Sequence, residues 1–309
     1  MLANFLSKSK PINFIVLMGI FVCLFLFTCF SLFFTASFTP ILLLKLAGLL
    51  GLFFILFFFF NFIITKNELT FDNSYAFFTF IVLISYFLEV FLTFKTLLLF
   101  LVYILFLRKV YSLRSPKIVL QKLFDSGFWL SILFILEPLT AVFALVLYAG
   151  ILLHQKAVIN YLIAPIIGFI TPLILYFTYY FWYDKTYVFT NLFYFDSFKG
   201  IGVYAEKGFL GLSIFILLLT VFALILKSPK ALAVNNSFKK SWWLLIVNFF
   251  VALLFCLVVP TKKGVEFLFL LFPTAVIIAN GIELLQKNIY KNILFFILLS
   301  SAIATVIFL

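Results

Sequence analysis

The chain has 309 residues, of which 66% are hydrophobic and 10% charged, with a mean hydropathy of +1.30 and a formal net charge of +12. A soluble domain is about 45 to 50% apolar and about 25% charged, so a soluble globular fold is excluded, and no stretch is polar enough to hold an ordinary soluble domain of about 100 residues. Long apolar runs without a period of two predict a single all-α transmembrane bundle over 1–309 rather than a barrel.

The positive charge does not point to nucleic acid. It is scattered over short links between apolar runs, where cytoplasmic Lys and Arg are expected in any membrane protein. The 49 Phe and the preference for Lys over Arg match residues with A- and T-rich codons, and are read as genome composition. Cys23, Cys29 and Cys256 all fall inside apolar runs and read as small hydrophobes, not disulfides or metal ligands.

From the N-terminus, Lys8 and Lys10 precede an apolar run from Ile12 to about Phe34. That exceeds the roughly 7 to 15 residues of a signal-peptide core, so it reads as a span. Further spans are predicted at Ile41–Ile64, Tyr161–Phe181, Phe209–Leu226, Trp242–Val259, Glu266–Leu285 and Asn292–Leu309, since about 20 helical residues cross the hydrocarbon layer. Tyr75–Leu107 is too long for one span and breaks near Glu89 and Lys95. Phe128–Leu153 is interrupted by Glu137 and Pro138. Reading both as hairpins puts 15 of the 22 Lys and Arg on the side of the N-terminus; splitting only the first leaves 13 there. The positive-inside rule therefore selects about eleven spans, with the N-terminus cytoplasmic and the C-terminus external.

The cytoplasmic link 108–127 is predicted to carry an interfacial amphipathic helix. Ser115 supplies a capping hydroxyl before Pro116, and Val119, Leu120, Leu123 and Phe124 share a face opposite Lys117, Gln121 and Lys122. The longest external loop, 182–208, gathers Asp184, Asp196 and Glu206 among aromatic residues of the kind that form an interfacial belt. These three carboxylates are candidate catalytic bases or metal ligands. Glu89 and Glu137 sit at the hairpin tips, where a carboxylate near hydrocarbon needs a partner or a task, and Lys95 is the expected partner of Glu89. Lys262 and Lys263 lie externally, just before Glu266, and two ammonium groups there suit a lipid phosphate or pyrophosphate. Lys262, Lys263, Glu266, Glu89 and Glu137 are accordingly candidate substrate-binding residues. His154 stands without companions for a zinc or haem site. No nucleotide-binding or hydrolase motif occurs, and no cofactor is identified, although the loop carboxylates leave a divalent metal open.

Two stretches resemble the C-type superfamily of polytopic glycosyltransferases, which use polyprenyl-phosphate sugars. Lys122–Leu153, KLFDSGFWLSILFILEPLTAVFALVLYAGILL, resembles its short central hairpin, with Pro138 matching the proline of a Thr-Lys-x-Pro turn and Glu137 departing from it. Lys262–Glu283 resembles its late external basic segment. The superfamily usually carries an acidic residue in the first external loop, and Leu32–Pro40 has none. The opening SKSKPINF, Ser7–Phe14, is similar to the start of a family of Bacteroidota inner-membrane proteins, a resemblance that implies a multi-pass inner-membrane location but supplies no activity. The resemblance implies sugar transfer at the outer face, with membrane lipids and a polyprenyl-phosphate-linked sugar as partners, Lys262 and Lys263 on the donor phosphate, and a loop carboxylate as base. Two other readings are a non-catalytic membrane subunit or scaffold in envelope biogenesis, and a transporter or flippase. The transporter reading is the weaker, because no internal repeat is visible.

Overall fold

The computed structural model describes residues 2–33, 40–154, 158–194, 209–232, 235–260 and 262–308, and among these residues there is no strand. In chain order the helices are α1 Leu2–Leu6, α2 Pro11–Phe33, α3 Pro40–Lys66, α4 Tyr75–Tyr86, α5 Leu88–Phe91, α6 Phe94–Tyr111 and α7 Val119–Leu136. They continue with α8 Ala144–His154, α9 Ile159–Trp182, α10 Thr186–Thr190, α11 Phe209–Leu232, α12 Asn236–Val258, α13 Leu268–Glu283 and α14 Asn288–Phe308. Nine helices among the described residues are long and apolar enough to cross a membrane, and two shorter apolar segments lie at Tyr75–Tyr86 and Pro138–His154. The protein is built as a multi-pass helical membrane protein.

Both long apolar runs break near the residues that interrupt their apolar pattern. After α4 and the single turn of α5, the Thr93 hydroxyl accepts from the Thr96 amide at 3.2 Å and starts α6. At the second break Pro138 disfavours a helical residue before it, and Glu137 is extended, with φ −148° and ψ 99°. The freed Glu137 carbonyl accepts from the Thr140 amide at 3.0 Å and from its hydroxyl at 2.7 Å.

The link before α7 differs from expectation. Ser115 closes a 3-10 turn, Ser112–Arg114, and is extended rather than helical, as the residue before a proline should be. The helix starts instead at Val119, after Ile118 in a left-handed conformation (φ 53°, ψ 46°), and runs to Leu136 without interruption. The amphipathic stretch is thus the first part of a helix of crossing length, with Val119 and Leu123 buried. Of the cysteines, Cys29 and Cys256 are buried and Cys23 is exposed, and all three are free thiols.

The chain divides into two compact units. The first comprises Met1–Leu97, Tyr204–Val234 and Lys263–Leu309. At its centre lies α13, every residue of which from Leu268 to Ile282 is buried. Phenylalanines fill the space around it: Phe60 stacks on Phe80 with centroids 3.6 Å apart, Phe272 meets Phe60 edge-on, and Phe21, Phe53 and Phe57 form a contiguous cluster. The edge-on pairs, Phe60 with Phe272 and Phe21 with Phe57, have the geometry that ring quadrupoles favour, whereas Phe60 and Phe80 lie face to face. Helix α13 also approaches α11 closely, since a Cβ on Gly281 would lie 2.6 Å from the Cβ of Ala223.

The second unit comprises Leu98–Val203 and Asn235–Lys262. Helices α7 and α9 meet through a reciprocal pair of glycines: a Cβ on Gly127 would stand 2.0 Å from the Pro165 carbonyl oxygen, and one on Gly168 2.1 Å from that of Phe124. Small residues at such crossings let backbones touch where lipid provides no hydrophobic drive. Helices α6 and α12 are joined in the buried core by the Tyr103 hydroxyl, which donates to Asn248 Oδ1 at 2.9 Å. Ile163, Ile166, Ile170 and Ile174 leave an exposed apolar face on α9, as expected for a surface solvated by lipid.

Candidate functional site

The residues singled out as candidates fall into separate places. Asp184 belongs to the second unit, follows α9 in a left-handed conformation (φ 54°) and is exposed. Asp196 and Glu206 lie outside the described residues. Glu137, also in the second unit, is half-buried at the break between α7 and the 3-10 turn Pro138–Phe143.

Lys262 does not present its ammonium group to a ligand. Its side chain is 3% exposed, and Nζ donates to the carbonyls of Cys256 and Leu257, each at 3.0 Å. These are carbonyls of the last turn of α12, which have no partner within the helix, so Lys262 caps that end.

In the first unit, Lys263, Gly264 and Glu266 form a compact turn. Gly264 has φ 91°, a conformation that strains any residue with a Cβ. The turn it permits brings the Lys263 amide to within 3.3 Å of Glu266 Oε2. Glu266 is buried and the Lys263 side chain is exposed. The same turn carries Phe267, whose ring stacks on Phe87 with centroids 5.0 Å apart and planes 21° from parallel. Phe87 caps α5, and α5 bears the exposed Glu89. Glu89 and the Lys263–Glu266 turn therefore stand on adjoining, ring-stacked segments, a proximity that spacing in the sequence does not reveal. Lys95, also exposed, forms no ion pair with Glu89 among the described residues. Chemically, the arrangement offers an exposed ammonium for a phosphate, a buried carboxylate bracing the turn, and an exposed carboxylate able to accept a proton.

The most completely built polar cluster of the first unit was not anticipated. Lys227 on α11 and Glu283 at the end of α13 are 2% and 5% exposed and pair at 3.0 Å. The other carboxylate oxygen of Glu283 accepts from Asn73 Nδ2 at 2.7 Å and from the Phe71 amide at 3.1 Å. Lys227 Nζ also lies 4.9 Å from the centre of the Phe71 ring. One clue was present: both residues are charges set against an apolar helix. Their meeting, however, depends on the close approach at Gly281 and Ala223. The cluster reads as a clamp holding α11, α13 and the segment before α4.

Among the described residues, no group of three His, Cys, Asp or Glu side chains is placed to hold a metal ion. Comparison with known proteins returns no matching family model, no matching curated protein and no matching solved structure.

Proposed function

We propose that this chain crosses the inner membrane eleven times, N-terminus inside and C-terminus outside, and acts as a glycosyltransferase-like protein on a lipid-linked sugar at the outer face. The observation that carries the reading is the juxtaposition of Lys263, Glu266 and Glu89 on two stacked turns of one unit. Under the proposed orientation these turns are external. Lys263 contacts the donor phosphate, Glu266 holds the turn in shape, and Glu89 takes the proton of the acceptor hydroxyl. Glu89 thereby fills the role of the acidic residue missing from Leu32–Pro40.

The test is transfer by the purified protein from a polyprenyl-phosphate sugar. Loss of a general base lowers rate by about 100-fold or more, so Glu89→Gln should abolish most turnover, while Lys263→Gln should chiefly raise the donor KM. Full activity in Glu89→Gln, with loss in a variant lacking Asp184, Asp196 and Glu206, would transfer the base to the long loop. Absence of transfer by the wild-type protein across donors would remove the enzyme reading.

Lys262 favours a second reading, a non-catalytic membrane subunit, because one of the two lysines expected to hold the donor serves instead as a helix cap. Co-purification of a stable partner together with silent Glu89 and Lys263 variants would support it.

A further inference from the structure

A polar cavity lies in the first unit, apart from the residues assigned above to sugar transfer. The link before α2, the end of α3, the loop to α4 and the first turn of α4 line a space of about 160 Å³, several times the roughly 30 Å³ that one water occupies in the liquid. Ser9, Asn61, Thr65, Thr70 and Asp72 bring polar side chains to the lining, and Glu68 adds a second carboxylate. No lysine or arginine lines it among the described residues, although the chain carries a formal charge of +12.

The local sequence builds this space by ending α3 abruptly. Glu68 takes a left-handed conformation (φ 47°), its amide donates to the Thr65 carbonyl at 3.3 Å, and the Leu69 amide returns to the Ile64 carbonyl at 3.1 Å. This pair of bonds closes the helix and turns the chain back, leaving Thr70 and Asp72 to line the cavity. Asn13 of α2 is completely buried, and its Nδ2 donates to the Lys8 carbonyl at 2.7 Å and to the Ser74 hydroxyl at 3.3 Å. Lys8 and Ser74 are the chain neighbours of the lining residues Ser9 and Asn73. Asn13 Oδ1 is buried without a hydrogen-bond partner among the described residues, and an unpaired buried acceptor is costly. The side chains of Ser9, Asn61, Thr70 and Asp72 likewise make no hydrogen bond or ion pair among the described residues. What this wall lacks is a donor.

We propose that this cavity holds the primary ammonium of a phosphatidylethanolamine headgroup, with Asp72 accepting one of its N–H bonds and the oxygens of Ser9, Asn61 and Thr70 offering further acceptors. An ammonium has three N–H donors and no acceptor, which suits a lining rich in oxygen and without a cation. The space is also larger than a bare metal ion needs and admits a headgroup of several heavy atoms. A phospholipid is the source because the flanking residues match its other parts. Lys8 and Lys10, both exposed, stand on either side of Ser9 in the chain and suit the phosphate. Phe54, Phe58, Asn61 and Thr65 share one face of α3. Phe58 is 59% exposed on that face, and Ile15 of α2 is 64% exposed. Acyl chains can follow these surfaces from the headgroup into the hydrocarbon. The site requires neither the sugar-transfer reading nor the proposed orientation.

The experiment titrates the intact protein in detergent with short-chain phosphatidylethanolamine, phosphatidylcholine, phosphatidylglycerol and free phosphoethanolamine, reading bound ligand by native mass spectrometry. Phosphatidylethanolamine should bind about tenfold more tightly than phosphatidylcholine, whose quaternary ammonium has no N–H, as loss of a hydrogen bond to a charged group predicts. It should also bind in preference to phosphatidylglycerol and to free phosphoethanolamine. Asp72→Asn should erase the preference for phosphatidylethanolamine over phosphatidylcholine. Lys8→Gln with Lys10→Gln should instead weaken both lipids alike, because they share the phosphate. Asp184→Asn, an equal change at an exposed carboxylate of the other unit, should alter neither. Equal binding of the two lipids by the wild-type protein, or a preference that survives Asp72→Asn, would overturn the ammonium site. The same loss in Asp184→Asn would show diffuse attraction and overturn it too. Free phosphoethanolamine bound as tightly as the lipid would overturn the lipid assignment. Asp72, Lys8 and Lys10 are all exposed, so these variants remove no buried side chain from the fold.

Discussion

At the residue scale, the Lys227 and Glu283 pair is the most consequential contact in the first unit. Breaking a buried ion pair by removing one member leaves an uncompensated charge and costs about 3 to 5 kcal/mol, whereas replacing both members is often close to neutral. Glu283→Gln should therefore lower the melting temperature sharply in detergent, because Lys227 keeps its charge while the amide supplies none. The double variant Lys227→Met with Glu283→Gln should recover most of the loss, since the amide oxygen still accepts from Asn73 and Phe71. A double-mutant cycle showing no coupling would refute the clamp. Residue identity alone could not reveal this pair. Lys227 reads as one more basic residue at the end of an apolar run, and Glu283 lies 56 positions away in the chain.

At the scale of elements, it is the surroundings of a glycine, not its spacing in the chain, that mark a close helix contact. The Gly48 and Gly51 spacing is too common to signal a helix contact, and the two differ: a Cβ on Gly48 would lie 3.0 Å from the Phe94 ring, whereas Gly51, like Gly211, has nothing within 4 Å. The true crossing uses Gly127 and Gly168, one from each of two helices, and no single-helix motif announces it. Gly127→Ala should force α7 and α9 apart against rigid backbone and lower stability by about 1 to 3 kcal/mol, in the range of overpacked sites. Gly51→Ala and Gly211→Ala should be neutral or stabilising, because alanine is favoured over glycine in a helix by about 0.5 to 1 kcal/mol. Thermal denaturation of the three variants separates these outcomes; equal effects would mean that the α7 and α9 contact is not close. Helix breaks, by contrast, were legible: Pro138 acts on its own neighbour through sterics that need no tertiary partner.

For the whole molecule, the proposed topology makes a direct prediction. A reporter fused after His154 should read as cytoplasmic and one at the C-terminus as external. A reporter after His154 found outside would undo the hairpin at Glu137. The candidate site shows the same division between local and distant information. Lys263 and Glu266 were recognisable together because they are three residues apart, but their association with Glu89 needed the stacking of Phe87 on Phe267. Lys262 and Lys263 look equivalent in sequence, and the fold gives them different work because one faces the end of α12 and the other does not.

Membrane character and the broken helices at Glu89 and Glu137 were determined by the sequence alone, since hydropathy is additive along the chain and the local backbone obeys its own residues. Tertiary structure decided which polar groups serve the fold and which remain available to a ligand. That choice depends on where separate helices approach, at Gly281 with Ala223 and at Gly127 with Gly168, and a one-dimensional pattern carries no distance between them.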